Sequence, residues 1–273
     1  MQPYLETVGI ITVAVFGIVL GGLFCRLWKK YWVIGYSAAL LFIMLLAAGT
    51  FFDALNFIYP FDLLLAGRFR FVILALAITV GLISPIDQLP RKSERMLVCC
   101  VMSLILGWFC IMPFLGPAIV RGRLQTMPGY INAEGVCFQS TNYTCGPAAA
   151  VTVLRMLGLE ADEGKLAILS HTSPMIGTMP RCLAYAINSE YGSLGVESSF
   201  RRFKSIEELK RFDFTLAVVK DSFLSDHCVA VLEVGDDYVI IADPVWGKGA
   251  FSYEQFSEIW RFSGVAIKSN FVQ

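Results

Sequence analysis

The chain has 273 residues, of which 56% are hydrophobic and 16% are charged, and its mean hydropathy is +0.63 at zero formal net charge. This composition is too apolar for an ordinary soluble protein, so we expect a lipid bilayer as a partner and no nucleic acid. The charges are divided unevenly, because residues 1–123 carry ten basic and five acidic side chains whereas residues 124–273 carry twelve and seventeen. We therefore predict a transmembrane region over residues 1–123 and a globular domain over residues 124–273.

Four apolar runs occupy the first region, and each approaches or exceeds the ~20 residues needed to cross a hydrocarbon core. We predict four transmembrane helices, at residues 8–27, 32–52, 69–86 and 96–120, with an interfacial loop at residues 53–67. A cleaved signal peptide is a weaker interpretation of the first run, which lacks a basic leader and a small-residue cleavage site. The pair Gly21-Gly22 inside this run is interpreted as a helix-packing site.

Basic residues near the span ends predict the orientation of the chain. Six follow the first and third runs and four lie on the other side: Arg26, Lys29, Lys30, Arg91, Lys92 and Arg95 against Arg68, Arg70, Arg121 and Arg123. Cytoplasmic loops are enriched in Lys and Arg, so the count predicts an integral membrane protein with its C-terminal domain outside the cytoplasm. In that compartment Cys137 and Cys182 could form a disulfide, although the spacing does not require one.

The C-terminal domain begins with helical patterns and continues with strand patterns. Helices are predicted at residues 147–157, 163–170, 179–190 and 253–260, and strands at residues 214–219, 227–234, 238–242 and 264–268. Gly235-Asp236-Asp237 is typical of a hairpin turn between two of these strands. Helices followed by an antiparallel sheet indicate an α+β domain.

Cys145 is the candidate nucleophile. Pro147 favours the first turn of a helix, so Cys145 is expected at a helix N-terminus, where unpaired N–H groups and the macrodipole stabilise a thiolate. Gly146 is expected to leave room for a substrate carbonyl. Gln139, six residues earlier, could donate its side-chain amide to an oxyanion together with the backbone N–H of Cys145.

The general base must be one of two histidines. His171 lies at the end of a predicted helix, which is typical of a solvated cap, whereas His227 opens an apolar strand. Asp243 ends the neighbouring strand, so a hairpin would make His227 and Asp243 cross-strand neighbours, and the carboxylate would orient the imidazole. Strand alternation should turn Cys228 away from His227.

Each of these signals has a structural interpretation when it stands alone. A Cys-Gly-Pro segment often marks only a helix start, a histidine on an apolar strand is often structural, and Asp-Pro is a common turn. Their order and spacing give the combination its weight.

The combination of these residues resembles the pattern of the peptidase family C39. It consists of Gln139, Cys145-Gly146, His227 and Ala242-Asp243-Pro244, and Gly177-Thr178 is similar to the family's Gly-x-Ser/Thr stretch. The resemblance implies a papain-like fold and a cysteine peptidase in which Cys145 is the nucleophile, His227 the general base and Asp243 its orienting partner. It assigns Gln139 to the oxyanion hole and requires no cofactor or metal. Thr144 departs from the pattern, because an acidic residue usually precedes the family's nucleophile.

The family is best known for domains of bacteriocin-exporting ABC transporters that cut leader peptides after a Gly-Gly pair. This sequence lacks a Gly-x4-Gly-Lys-Ser/Thr motif, so no ATPase is expected, and export would need a separate ABC exporter. The resemblance therefore implies a cysteine peptidase anchored in a bacterial plasma membrane that acts on a leader-type peptide or a membrane-proximal protein. A catalytically inactive peptide-binding module and an acyl transferase with the same triad stay open as alternatives.

Overall fold

The computed structural model describes residues 3–27, 32–51, 69–221 and 225–270, so the loop predicted at residues 53–67 lies outside the described part of the chain. The chain divides into a helical unit, residues 1–118, and a C-terminal unit, residues 119–273. The boundary falls inside a helix, a few residues before the boundary that the charge pattern suggested.

The helical unit is built from long apolar helices. They are α1 (Pro3–Leu27), α2 (Trp32–Phe51), α3 (Phe69–Ile83) and α4 (Lys92–Ile105), which continues through a π-helical segment (Leu106–Ile111) into α5 (Met112–Gln125). Helices therefore occur at all four predicted positions. Within the described residues, however, only Phe71–Gln88 and Lys92–Gln125 are long and apolar enough to cross a membrane, so the prediction of four spans is not confirmed.

Small residues allow these helices to approach one another. A Cβ atom added at Gly17 would lie 2.0 Å from Thr79 Oγ1, and one at Gly21 would lie 2.9 Å from Ile83 Cβ, so both glycines face α3. This is the small-residue spacing that lets membrane helices pack closely. The packing interpretation of Gly21 is thus confirmed, while Gly22 faces open space.

The C-terminal unit has helices on both sides of an antiparallel sheet. Its helices are α6 (Cys145–Met156), α7 (Glu163–Leu169), α8 (Pro180–Tyr191) and α9 (Tyr253–Ile259). A small ribbon pairs β1 (Tyr130–Ile131) with β2 (Cys137–Phe138). The main sheet has the order β3-β8-β4-β5-β6-β7, from β3 (Val196–Arg202), β4 (Phe214–Lys220), β5 (Asp226–Val234), β6 (Tyr238–Asp243), β7 (Gly247–Ser252) and β8 (Trp260–Ser269). The predicted α+β arrangement is confirmed, with β3 and β7 as additional edge strands.

Each face of this sheet covers a separate hydrophobic core. On one face α6, α7 and α8 pack against residues such as Leu216 and Ala230. The other face carries Val229 and Val231 and packs against α9 and the buried Trp260, whose ring stacks on Phe256 at 5.3 Å. The alternation of successive β5 residues between the two faces is what a pleated strand requires.

Candidate active site

Cys145 is the first residue of α6, as its position before Pro147 predicted. The first bond of the helix runs from the N–H of Ala148 to the carbonyl oxygen of Thr144 at 3.0 Å, so the N–H groups of the preceding residues have no partner inside the helix. The thiol, which is partly exposed, therefore lies at the positive end of the helix dipole.

Gly146 makes a close packing contact at the start of α6. The residue is buried, and an added Cβ would lie 3.3 Å from both Thr178 Cβ and Leu183 Cδ2. The missing side chain thus makes room for α8 and the segment before it. This contact also explains why Gly177-Thr178 accompanies the Cys-Gly pair, because Thr178 packs directly behind the helix start.

His227 and Asp243 are brought together by the hairpin of β5 and β6. The pairing of Ala230 with Ala242 sets the register, and His227 Nε2 lies 2.9 Å from Asp243 Oδ1. Both side chains are mostly buried. The geometry predicted from the hairpin is therefore present, and a carboxylate in this position fixes the imidazole tautomer.

Asp243 also holds the turn that follows it. Its Oδ1 accepts hydrogen bonds from the N–H of Val245 at 2.7 Å and from that of Trp246 at 3.4 Å. Burial would raise the pKa of Asp243, but hydrogen bonds from His227 and from the Val245 N–H outweigh burial and lower it. Asp243 is consequently an anion that anchors both the imidazole and the turn.

The third member of the group, Cys145, lies close enough to His227 to influence the pKa of the imidazole. Burial acts to lower the pKa of His227, but hydrogen bonds to Asp243 and Cys145, together with their negative charges, raise it to about 10. An imidazole placed between a cysteine and a carboxylate is the arrangement that can activate a cysteine nucleophile.

Gln139 follows β2 directly and lies beside the residue that comes after Asp243. Its backbone N–H donates to the carbonyl oxygen of Pro244 at 2.9 Å. Its side-chain Oε1 is buried and has no hydrogen-bond partner in the described part of the chain. The backbone of Gln139 is thus tied to the His227–Asp243 end of the sheet. Of its two side-chain amide atoms, Nε2 is the hydrogen-bond donor that an oxyanion would require.

Two features of this region were not identified from the sequence. Glu163 is a buried carboxylate whose two oxygens both accept hydrogen bonds from Ser140, next to Gln139. Trp246, three residues after Asp243, is 86% exposed. Amphipathic patterning gives no signal for either residue, since a buried acid and an exposed tryptophan both oppose the usual pattern.

Cys228 packs on the α6 side of the sheet, whereas its neighbour Val229 belongs to the opposite core. Burial raises the pKa of the Cys228 thiol well above its usual value, and negative charge at Cys145 and Asp243 raises it further. Cys228 therefore stays protonated beside the site. The described cysteines form no disulfide, so the pairing considered for Cys137 and Cys182 is absent from this structure.

His171, the other histidine, lies just after α7 with a left-handed backbone conformation, φ 54°.

Comparison with known proteins identifies the family of the C-terminal unit, which is called the C39 unit below. A family model described as the peptidase C39 family matches residues 134–270, half of the chain. The chain belongs to the peptidase C39 family. A relative of the C39 unit is an uncharacterized protein of Methanothermobacter marburgensis, 31% identical over 134 residues, which are 49% of this chain and 88% of that protein.

Solved structures similar to the C39 unit include two peptidase domains. One is the peptidase domain of Streptococcus ComA, a bi-functional ABC transporter involved in a quorum sensing pathway (23% identity, TM-score 0.40, 49% of this chain and 96% of that chain). The other is a double glycine motif protease from an AMS/PCAT transporter in complex with its leader peptide (19% identity, TM-score 0.40, 50% and 91%).

Thr144, the departure from the usual C39 pattern, is accommodated by the loop before the nucleophile. The residue is buried, and its Oγ1 accepts a hydrogen bond from the N–H of Thr141 at 3.2 Å. Thr144 thus stabilises the loop between Gln139 and Cys145 through its buried hydroxyl group.

Proposed function

We propose that this C39 protein is a membrane-anchored cysteine peptidase that hydrolyses a peptide bond with Cys145, His227 and Asp243. The observation that carries the proposal is the placement of His227, whose Nε2 lies 2.9 Å from Asp243 Oδ1 and whose imidazole is near enough to the Cys145 thiol for its pKa to be raised by it. The anchor in this proposal is the helical unit, where two helices have the length and composition of membrane spans.

In the first half of the reaction, the Cys145 thiolate attacks the carbonyl carbon of the scissile peptide bond. A C–S bond forms, and the carbonyl oxygen becomes an oxyanion that accepts hydrogen bonds from the Cys145 backbone N–H and the Gln139 side-chain amide. The C–N bond then breaks as the His227 imidazolium gives its proton to the departing amine. The products of this half are a thioester on Cys145 and the released amine.

In the second half, water hydrolyses the thioester. Neutral His227 removes a proton from the water as its oxygen forms a bond to the acyl carbon, and the C–S bond breaks to regenerate the thiolate. The second product is the free acid, and His227 is again an imidazolium. Asp243 keeps its charge throughout and stabilises the imidazolium.

The proposed substrate is a leader-type peptide cut after a Gly-Gly pair, or a membrane-proximal protein segment. Gly-Gly specificity rests on the family resemblance, in which peptidase domains process peptides for ABC transporters. A separate exporter is accordingly the proposed partner, and the proposed position of the domain outside the cytoplasm rests on the charge count.

The test uses the full chain in detergent and a pair of synthetic peptides that differ only in Gly-Gly or Ala-Ala before the cleavage point. We expect the Gly-Gly peptide to be cut, and the Cys145→Ala variant to lose activity by on the order of 10⁶-fold, because the nucleophile is gone. Cys228→Ala is the matched control, since it removes a neighbouring thiol and should keep most of the activity. Cleavage that survives in Cys145→Ala would refute the proposal.

The same experiment separates the alternatives. A peptide that binds the protein but is never cut, with Cys145 reacting no faster than the buried Cys137 toward iodoacetamide, would indicate an inactive binding module. Products that carry an added amine in place of water would indicate acyl transfer.

A further inference from the structure

Glu163 is a buried acid with an unusual set of partners. The residue opens α7 and is 1% exposed, and no Lys, Arg or His in the described part of the chain forms an ion pair with it. A buried carboxylate without a cation is costly unless hydrogen bonds replace its water. Its retention here therefore calls for a specific role.

The partner of Glu163 is a single residue in the loop before the nucleophile. Oε1 accepts a hydrogen bond from the backbone N–H of Ser140 at 2.9 Å, and Oε2 accepts one from Ser140 Oγ at 2.6 Å. Hydrogen bonds to an ionised acceptor are about twice as strong as neutral ones. Two of them on adjacent donors fix both the position and the rotation of the Ser140 backbone.

Ser140 is bonded to Gln139, whose side chain lacks any hydrogen bond that would orient it. Gln139 Oε1 is buried with no partner among the described residues. The direction of the amide is therefore set by the backbone of Gln139, which is held on one side by its N–H bond to Pro244 O and on the other by Ser140.

The carboxylate itself sits on a firmly held helix start. The Asp162 side chain caps α7 by accepting a hydrogen bond from the N–H of Lys165 at 2.7 Å. Next to Glu163, a Cβ atom at Gly164 would lie 2.0 Å from the carbonyl oxygen of Leu124, so α7 packs directly on the end of α5 within the C-terminal unit. Such close backbone contact leaves the carboxylate little freedom to shift.

We propose that Glu163 is a positioning residue for the oxyanion hole: through its two hydrogen bonds to Ser140 it holds the Gln139 side-chain amide at the Cys145 site. This inference rests on the proposed function, since it assumes that Gln139 stabilises an oxyanion. Glu163 itself touches no reacting atom.

Two reactions of Cys145 in the full-length protein separate this role from a general effect on the site. Alkylation by iodoacetamide needs the thiolate but forms no oxyanion, whereas acetylation by p-nitrophenyl acetate passes through a tetrahedral oxyanion. Both rates can be read by mass spectrometry of the Cys145 peptide. We expect Glu163→Ala to slow acetylation by about 10- to 100-fold, because a displaced catalytic group loses its alignment, and to leave alkylation nearly unchanged.

Three further variants sharpen the test. Glu163→Gln should restore acetylation, because an amide can accept from the Ser140 N–H and donate to Ser140 Oγ. Ser140→Ala should slow acetylation by about fivefold through the loss of one hydrogen bond. This variant leaves α7 unchanged, so it provides the test if Glu163→Ala does not fold. Adding Glu163→Ala to Gln139→Ala should cost nothing more, because the two residues act through one path.

The outcomes are distinct. Unchanged acetylation in Glu163→Ala or Ser140→Ala, or an equal fall in alkylation and acetylation, would overturn the positioning role while leaving the peptidase proposal intact. A wild-type protein whose Cys145 is alkylated but never acetylated would overturn both.

Discussion

Leu104 in the helical unit and Leu154 in the C-terminal unit both lie on helices, yet Leu104 is 73% exposed and Leu154 is completely buried. The contrast is general, because apolar side chains such as Phe16 and Trp108 face outward in the first unit whereas those of the second form two cores around a sheet. The C-terminal unit removes its apolar surface from water by folding, whereas the helical unit leaves the same chemistry outside, where the hydrocarbon of a bilayer can solvate it.

The C-terminal unit buries a pair of titratable side chains, His227 and Asp243, so its stability should depend on pH. The raised pKa of His227, about 10 against the usual 6.5, contributes stability that is fully present below pH 6.5 and is lost as the pH rises toward 10. The lowered pKa of Asp243 contributes stability present above its usual 3.8 and lost as the pH falls through its folded value. The pair is therefore most stabilising between about pH 4 and 6.5.

We expect the free energy of unfolding of the C-terminal unit to fall by on the order of 4 kcal/mol between pH 6.5 and 10. Urea unfolding can be followed by alkylation of the buried Cys137, read by mass spectrometry. His227→Gln should remove this slope and His171→Gln should keep it. A slope that persists in His227→Gln would assign it to other groups.

The next largest effect tests whether the outward apolar side chains of the helical unit lie in a bilayer. Leu104→Lys should oppose membrane insertion by about 3 kcal/mol, because a charge would enter the hydrocarbon region near the middle of a span. The matched control is Leu194→Lys, since Leu194 is 52% exposed in the C-terminal unit and a surface change there costs within about 0.5 kcal/mol. The measurement is the fraction of protein that resists alkaline extraction from membranes. If both variants resisted alkaline extraction equally well, the proposed difference between the surroundings of the two units would be wrong.

The smallest effect locates the boundary between the units. Leu124, at the end of α5, is 1% exposed and belongs to the C-terminal unit, so Leu124→Ala should destabilise that unit by about 2 kcal/mol. The same urea experiment measures the change, with Ile119→Ala, an exposed neighbour on the same helix, as the control. No loss in Leu124→Ala would move the start of the unit to a later residue.

Much of the C-terminal unit could be predicted from local patterns. The start of α6, the strands that carry His227 and Asp243, and the hairpin between them all followed from Pro147, apolar runs and Gly235. The edge strands could not be found in this way, because β3 is largely polar and β7 contains two glycines, so neither shows the alternation of a half-buried strand.

The parts of the site that the sequence did not disclose depend on tertiary contacts. Glu163 meets Ser140 across 23 positions of the chain, and Gly146 is needed for its contact with Thr178, so neither role has a local signature. The helical unit shows a related limit, since hydropathy located four helices but did not establish how many cross a membrane.

The turn after Asp243 is fixed through its backbone, because Asp243 Oδ1 accepts from the N–H groups of Val245 and Trp246 while their side chains stay exposed. Side chains at these two positions can therefore be exchanged without altering the hydrogen bonds that hold the turn to the imidazole. For directed evolution, residues 245 and 246 are a place next to the His227–Asp243 pair where new binding preferences can be selected at little cost in folding.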